Sequence, residues 1–212
     1  MNELLILIFQ LCVLIFSIIV HEVSHGVVAL RLGDPTAKNL GRLTLNPIKH
    51  LDLFGSIILP ITLMLVQSPV LLGWAKPVPY NPHNLKNPKV GSGLIGAAGP
   101  LSNLLVALLF GVIARLMLMA SGFEMAQVFL VLVNYIVFIN VLLAVFNLLP
   151  IPPLDGAGIL FSLLPSGSYR IQETLTRYGF LILVAFLLFG FQVITPIVYG
   201  LFRLIIGPAA LL

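Results

Sequence analysis

Residues 21–25 read His-Glu-Val-Ser-His. On a helix, positions four apart share a face, so the imidazoles of His21 and His25 can reach one metal ion. Glu22 stands beside them, where it can take a proton from water at that metal. The pentad lies within an apolar run from Leu4 to about Leu32. Ionisable side chains inside a spanning helix cost roughly 2.5–3.5 kcal/mol each on insertion scales and tend to persist for function. The plainer alternative is a polar helix end at the water interface, satisfied by its neighbours. Spacing and setting together favour a metal centre with Glu22 as its base.

A catalytic zinc takes three protein ligands and keeps a fourth position for water. Few other residues qualify as the third ligand. Glu3 lies at the far end of the first apolar run, Glu124 between two later runs and Glu173 in a polar loop. Asp34, His50, Asp52 and His83 sit in basic or Pro/Asn-rich loop sequence. Asp155 alone has an apolar setting, at the end of NLLPIPPLDG over 147–156. Elimination points to Asp155, beside the simpler reading of an Asp-Gly turn. Cys12 is the single cysteine, which excludes an intrachain disulfide, and in its apolar run it reads as a small buried hydrophobe.

The elements that must position these groups are membrane helices. Of 212 residues, 59% are hydrophobic and only 8% charged. So few charges cannot cover a water-soluble domain of this size. The formal net charge of +4 resides in short loops, which suits membrane topology rather than nucleic-acid binding. The N-terminal run lacks the basic flank and small-residue cleavage site of a signal peptide. After it comes a basic, turn-rich stretch with Arg31, Lys38, Arg42 and Lys49, then apolar 53–73 with Pro60 and Pro69. Residues 74–88, WAKPVPYNPHNLKNP, are too proline-rich for a helix and favour extended backbone. Helices are expected from Gly93 or Pro100 to Met119 and from Ala126 to about Asn147, with a final region over 178–206 broken at Pro196. No repeat appears. The expected architecture is an all-α polytopic membrane protein, a single domain over 1–212. It has about four to six transmembrane helices, a catalytic core over about 4–160 and a C-terminal helical region over about 178–206.

His21, His25 and Asp155 can share a metal only if the ends of their helices lie at one membrane face. A full crossing by 53–73 would separate those ends; a segment that dips in and returns would unite them. Pro60 and Pro69 favour re-entry, because broken backbone at membrane depth must be shielded by protein or line a cavity. The basic stretches 31–49 and 76–89 both read as cytoplasmic, whereas the loop near Glu124 carries no Lys or Arg.

With these motifs together, the chain resembles the site-2 proteases, zinc metalloproteases that cut substrates within the membrane. HEVSH at 21–25 and NLLPIPPLDG at 147–156 carry the resemblance, the latter fitting N-x-x-P-x-x-x-L-D-G. AGPLSN at 98–103 matches G-P-x-x-N, and GWAKPVPYNP at 73–82 resembles a segment of the small bacterial and archaeal members. The resemblance implies one zinc per chain, held by His21, His25 and Asp155, with Glu22 as general base. It suggests a role for Asn103, and for Asn147, in supporting substrate or the developing oxyanion. The competing readings are an interhelical hydrogen bond for Asn103, beside Gly96–Gly99, and for Asn147 a cap on backbone freed by the following prolines. Trp74, Ala75, Lys76, Pro77 and Val78 are expected to form a short strand that pairs with unwound substrate, the alternative being an interfacial loop anchored by Trp74 and Tyr80. The expected partners are a transmembrane protein substrate and the lipid bilayer. The expected setting is a prokaryotic cell membrane, with the site nearer the cytoplasmic face. No room is seen for the PDZ or CBS modules of larger relatives. The rival function is a zinc-binding transporter or scaffold without proteolysis; the absence of a repeat and the presence of Glu22 argue against it.

Overall fold

A computed structural model of the chain describes residues 3–58, 61–62, 65–66, 75–120, 123–165 and 167–207. The first apolar run forms α1 (Glu3–Arg31), with its acidic residue in the first turn and its basic residue in the last, each complementing the helix dipole. A single turn, α2 (Thr36–Asn39), follows. Helix α3 (Pro88–Ala120) starts earlier than expected. Asn87 supplies the reason: its Oδ1 accepts the Val90 N–H at 3.2 Å, capping a helix whose first residue is a proline with no donor to orphan. Pro100 stays inside that helix. Helix α4 (Phe123–Asn147) leads into the proline-rich turn, and Asp155 opens the short α5 (Asp155–Leu163). Helices α6 (Tyr169–Ala185) and α7 (Phe191–Ile206) are joined by one wide π turn over Phe186–Gly190. The irregularity expected at Pro196 therefore falls upstream, where Gly190 packs on the Phe186 ring, and Pro196 remains within α7.

Four stretches are long and apolar enough to cross a bilayer: Glu3–Arg31, Pro88–Leu118, Val128–Asn147 and Tyr169–Ile206. The protein is all-α among the described residues, and it is an integral membrane protein. Large apolar side chains such as Leu4, Leu7, Leu11 and Ile15 stay outward, as a lipid-facing surface requires. Cys12 is exposed on this helix too, not buried as its setting suggested. The main core joins α3, α4 and α7. Val133, Val137, Val141 and Val145 of α4 recur every fourth residue, as do Ile194, Val198, Phe202 and Ile206 of α7. Ala107 and Ala114 let α3 approach both ridges. At the far end of α3, Arg115 donates from Nε to Ile205 O at 2.7 Å and from Nη2 to Leu204 O, satisfying carbonyls that end α7.

Helix α3 runs antiparallel to α1, since His25 meets Ile95 and Ser17 meets Asn103. It is antiparallel to α4 as well, with Asn103 against Asn140 and Gly96 beside Asp155. The C-terminal ends of α1 and α4 and the N-terminal end of α3 therefore lie together. The chain between α1 and α3 leaves and returns at one level, as the shared-metal argument required. Within it, Leu53–Ile58 form a π-helical turn, while 59–60, 63–64 and 67–74 lie outside the described residues, so the re-entrant path is not traced. Residues 75–80 carry no regular secondary structure, and no strand forms among the described residues. Pro77 and Pro79 lack the N–H groups a ladder needs, and the donors on Lys76 and Val78 already serve other acceptors.

Candidate active site

The helical spacing of His21 and His25 puts both rings on the buried side of α1, 4.7 Å apart between centroids. Asp155 reaches them from the first turn of α5, its Oδ2 2.9 Å from His21 Nε2 and 3.3 Å from His25 Nε2. The Asp-Gly pair thus begins a helix here. Gly156 is required because any side chain would strike the carbonyls of Leu148 and Leu149. On the other side, α3 presses its backbone against the rings at Gly99. A Cβ there would lie 2.5 Å from the Nε2 atoms of both histidines.

Hydrogen bonds define which nitrogen of each ring carries the proton. His25 Nδ1 lies 2.6 Å from the Ile95 carbonyl, which can only accept, so Nδ1–H is the donor. For His21 the argument runs through Asn103. Its Nδ2 faces the Ser17 carbonyl at 3.3 Å and Asn140 Oδ1 at 2.9 Å, which fixes Asn103 Oδ1 toward His21 Nδ1 at 2.6 Å. Asn140 in turn donates to Ser17 Oγ and Ile136 O, both at 2.9 Å. In neutral imidazoles with Nδ1 protonated, both Nε2 atoms are lone-pair atoms. They converge with the Asp155 carboxylate, and their ligand atoms lie within 4.8 Å of one another. Three acceptors facing each other without a proton between them fit a cation, and two nitrogens with one oxygen suit zinc. Among the described residues, these form the one group of three or more His, Cys, Asp or Glu side chains able to hold a metal ion.

A cavity of about 630 Å³ opens beside this group, lined by Glu22, Val78, Tyr80, Asn147, Thr176 and Phe180 among others. Glu22 accepts the Val78 N–H at Oε2, 2.8 Å away. Asn147 lines the cavity and donates to Leu143 O at 2.9 Å, a bond back to the turn below it. Asn103 is fully buried behind His21, with both amide hydrogens engaged. Pro77 and Val78 reach the cavity, Ala75 and Lys76 precede them, and Trp74 lies outside the described residues. His50 is buried and bonds through Nε2 to Thr44 O, and His83 caps into a loop through its backbone. Sequence reasoning passed over Ser17 and Asn140, and it placed Asp34 and Arg42 in loop sequence without foreseeing their burial. For Asn140 a signal was available: like Asn134, it is an amide inside a largely apolar helix.

This arrangement finds its counterpart among known proteins. The model of peptidase family M50 matches residues 9–189. A Bacillus subtilis protein named "Putative zinc metalloprotease YwhC" is 42% identical over 173 residues, covering 80% of this chain and 75% of that protein. "Putative zinc metalloprotease Rip2" of Mycolicibacterium smegmatis is 31% identical, covering 82% of this chain. Its Mycobacterium tuberculosis namesake is 32% identical, covering 68%. The chain spans 64% and 52% of those two proteins' lengths. No solved structure matches the chain. With a family match over most of its length and these relatives beside it, the chain belongs to peptidase family M50, the site-2 protease family.

Proposed function

We propose that this M50 peptidase hydrolyses peptide bonds in or near the transmembrane segments of membrane-protein substrates. In this reading His21, His25 and Asp155 hold the zinc and Glu22 is the general base. That the chain is a zinc-dependent protease follows from its family and from the relatives it resembles. The observation that carries the finer reading is the approach of Asp155 Oδ2 to both Nε2 atoms, from a segment some 130 residues away in the chain, beside Glu22.

Depth supports the intramembrane assignment. His21 and His25 lie six to ten residues before the end of α1 at Arg31, so at 1.5 Å per residue they sit about 9–15 Å inside that end. The basic residues of 31–49 and 76–89 favour the cytoplasmic side for that end.

Zinc, when bound, supplies a Lewis acid that lowers the pKa of water toward about 7 and polarises a carbonyl. The chain's own residues supply the rest. Asn103 and the Ile95 carbonyl fix the ring orientations and leave both Nε2 atoms free to bind. Glu22 takes the proton of the attacking water and delivers it to the leaving amine. Asn147 has a second amide hydrogen for a developing oxyanion, beyond the one given to Leu143. The cavity leaves space for an extended segment of substrate.

The test uses the purified chain in nanodiscs with a synthetic transmembrane helix carrying a central Gly-Ser pair, the cut mapped by mass spectrometry. Wild type is expected to cut within the apolar stretch. Glu22→Gln keeps its zinc and loses cleavage, while Asp155→Ala and His21→Ala lose zinc. Cleavage by Glu22→Gln, full zinc in Asp155→Ala, or cuts confined to the soluble flanks would each overturn the corresponding part.

A further inference from the structure

From Lys76 to Pro79 the backbone holds only two N–H groups, because residues 77 and 79 are proline. Neither is free. Lys76 N–H donates to His50 O at 2.9 Å, and Val78 N–H donates to Glu22 Oε2 at 2.8 Å. The carbonyls immediately before that second donor are held as well. Arg42 Nη2 donates to Lys76 O at 2.9 Å and to Pro77 O at 3.2 Å, while its Nη1 donates to Lys49 O. Arg42 is only 9% exposed, which is low for a guanidinium, and all three of these acceptors are backbone carbonyls. Val78 is 6% exposed, and its side chain packs against Gly26, one turn along α1 from Glu22. The peptide plane carrying the Val78 N–H is thus fixed by proline on both sides, by a guanidinium on the preceding carbonyls and by its own buried side chain.

We infer that the Val78 N–H is the donor that positions Glu22 for catalysis, and that Arg42 is a positioning residue acting through it. The inference rests on the reading of Glu22 as general base and adds how that base is aimed. A free glutamate explores several rotamers; a charge-assisted bond from a rigid backbone donor selects one. With Oε2 held, Oε1 is left to meet the attacking water. The proline pair has a purpose in this light. It leaves a single donor between residues 77 and 79 and prevents that donor from joining a ladder.

The experiment uses the full chain in nanodiscs, loaded with zinc and labelled with ¹⁵N-valine, the Val78 resonance being assigned by its disappearance in Val78→Ala. Exchange of the Val78 amide with D₂O is expected to accelerate about 10-fold or more in Glu22→Ala and in Arg42→Gln, the loss of one such bond. With the same synthetic transmembrane helix as substrate, Arg42→Gln and Val78→Pro are expected to lose about 10- to 100-fold in kcat through a misaimed base. KM and zinc content should stay near wild type, and Val78→Ala, which keeps the N–H, should regain most of the rate lost in Val78→Pro. Equal Val78 exchange in wild type and Glu22→Ala overturns the contact. Unchanged kcat in Arg42→Gln, or equal rates in Val78→Pro and Val78→Ala, overturns its role. Should Val78→Pro fail to fold, the exchange measurement and Arg42→Gln still decide. Cleavage by Glu22→Gln would instead remove the base assignment itself, and the exchange result would then describe a structural contact only.

Discussion

At the scale of single residues, the proposed metal centre depends on groups that never reach the cavity. The Ser17 carbonyl orients the Asn103 amide, and the Asn103 oxygen accepts the N–H of His21 Nδ1. Replacing Asn103 with Leu removes that acceptor and leaves a buried N–H unpaired. Zinc affinity is expected to fall about 10- to 100-fold, the usual effect of losing such a partner. Competition with a chromophoric chelator measures it, and unchanged affinity would show that His21 needs no such support. Gly99→Ala should act more bluntly. Its methyl would lie about 2.5 Å from the Nε2 atoms of His21 and His25, so zinc should be lost, as metal analysis of the purified variant would show. The pentad at 21–25 was legible because helical spacing alone puts its two histidines on one face. Asp155 could be reached by elimination because acidic residues are so few. The direction of the Asn103 amide was not legible, since it depends on a carbonyl from another helix 86 residues away.

At the scale of elements, the least conspicuous anchor is Asp34, just beyond α1. It is fully buried. Its Oδ1 accepts from Thr36 N at 3.1 Å, from Thr36 Oγ1 at 2.5 Å and from Asn84 Nδ2 at 2.7 Å, and its Oδ2 from Asn81 N at 2.7 Å. These bonds tie the end of α1 to the loop that leads into α3, and so fix where the 75–80 segment begins its return. Burial alone would raise the Asp34 pKa, but the donors outweigh it and hold the carboxyl below its ordinary value. A depressed folded pKa gives stability that is complete above the unfolded value of about 3.9 and is lost as pH falls through the lower folded one. Asp34→Asn should therefore be less stable than wild type at pH 6, and the gap should narrow toward pH 3, in thermal unfolding of the metal-free protein followed by circular dichroism. A gap that stays constant with pH would exclude this role. The sequence placed Asp34 in a loop correctly but could not reveal its four donors, which come from both sides of a long excursion. Helix ends were similarly half-legible: the Asn87-Pro88 start of α3 was written in the chain, whereas the wide turn at 186–190 was not.

Across the whole molecule, the packed core and the proposed metal centre occupy different places. Valine and isoleucine ridges join α4 to α7, while the proposed ligands come from α1 and α5 with α3 between them. Phe202, 1% exposed in that core, packs edge-on against Phe138 with centroids 5.8 Å apart. Phe202→Ala is expected to cost about 3–5 kcal/mol of stability while leaving zinc content unchanged. Unfolding in mixed micelles with rising SDS measures the first and metal analysis the second. Concurrent loss of zinc would show that the two regions are coupled after all. Membrane class followed from composition, and the four long apolar helices among the described residues fall within the four to six expected. The pairing of α4 with α7 did not follow from composition, because the outward and inward residues of α4 are about equally apolar.

The bond between Arg115 and the last carbonyls of α7 has a consequence for how the protein is made. The cation is synthesised about 90 residues before the acceptors that accommodate it. Arg115 is exposed at the end of α3, so water can solvate its charge until Leu204 and Ile205 have left the ribosome. The clasp between α3 and α7 thus closes only after α7 is made, which makes the order of translation part of the order of assembly.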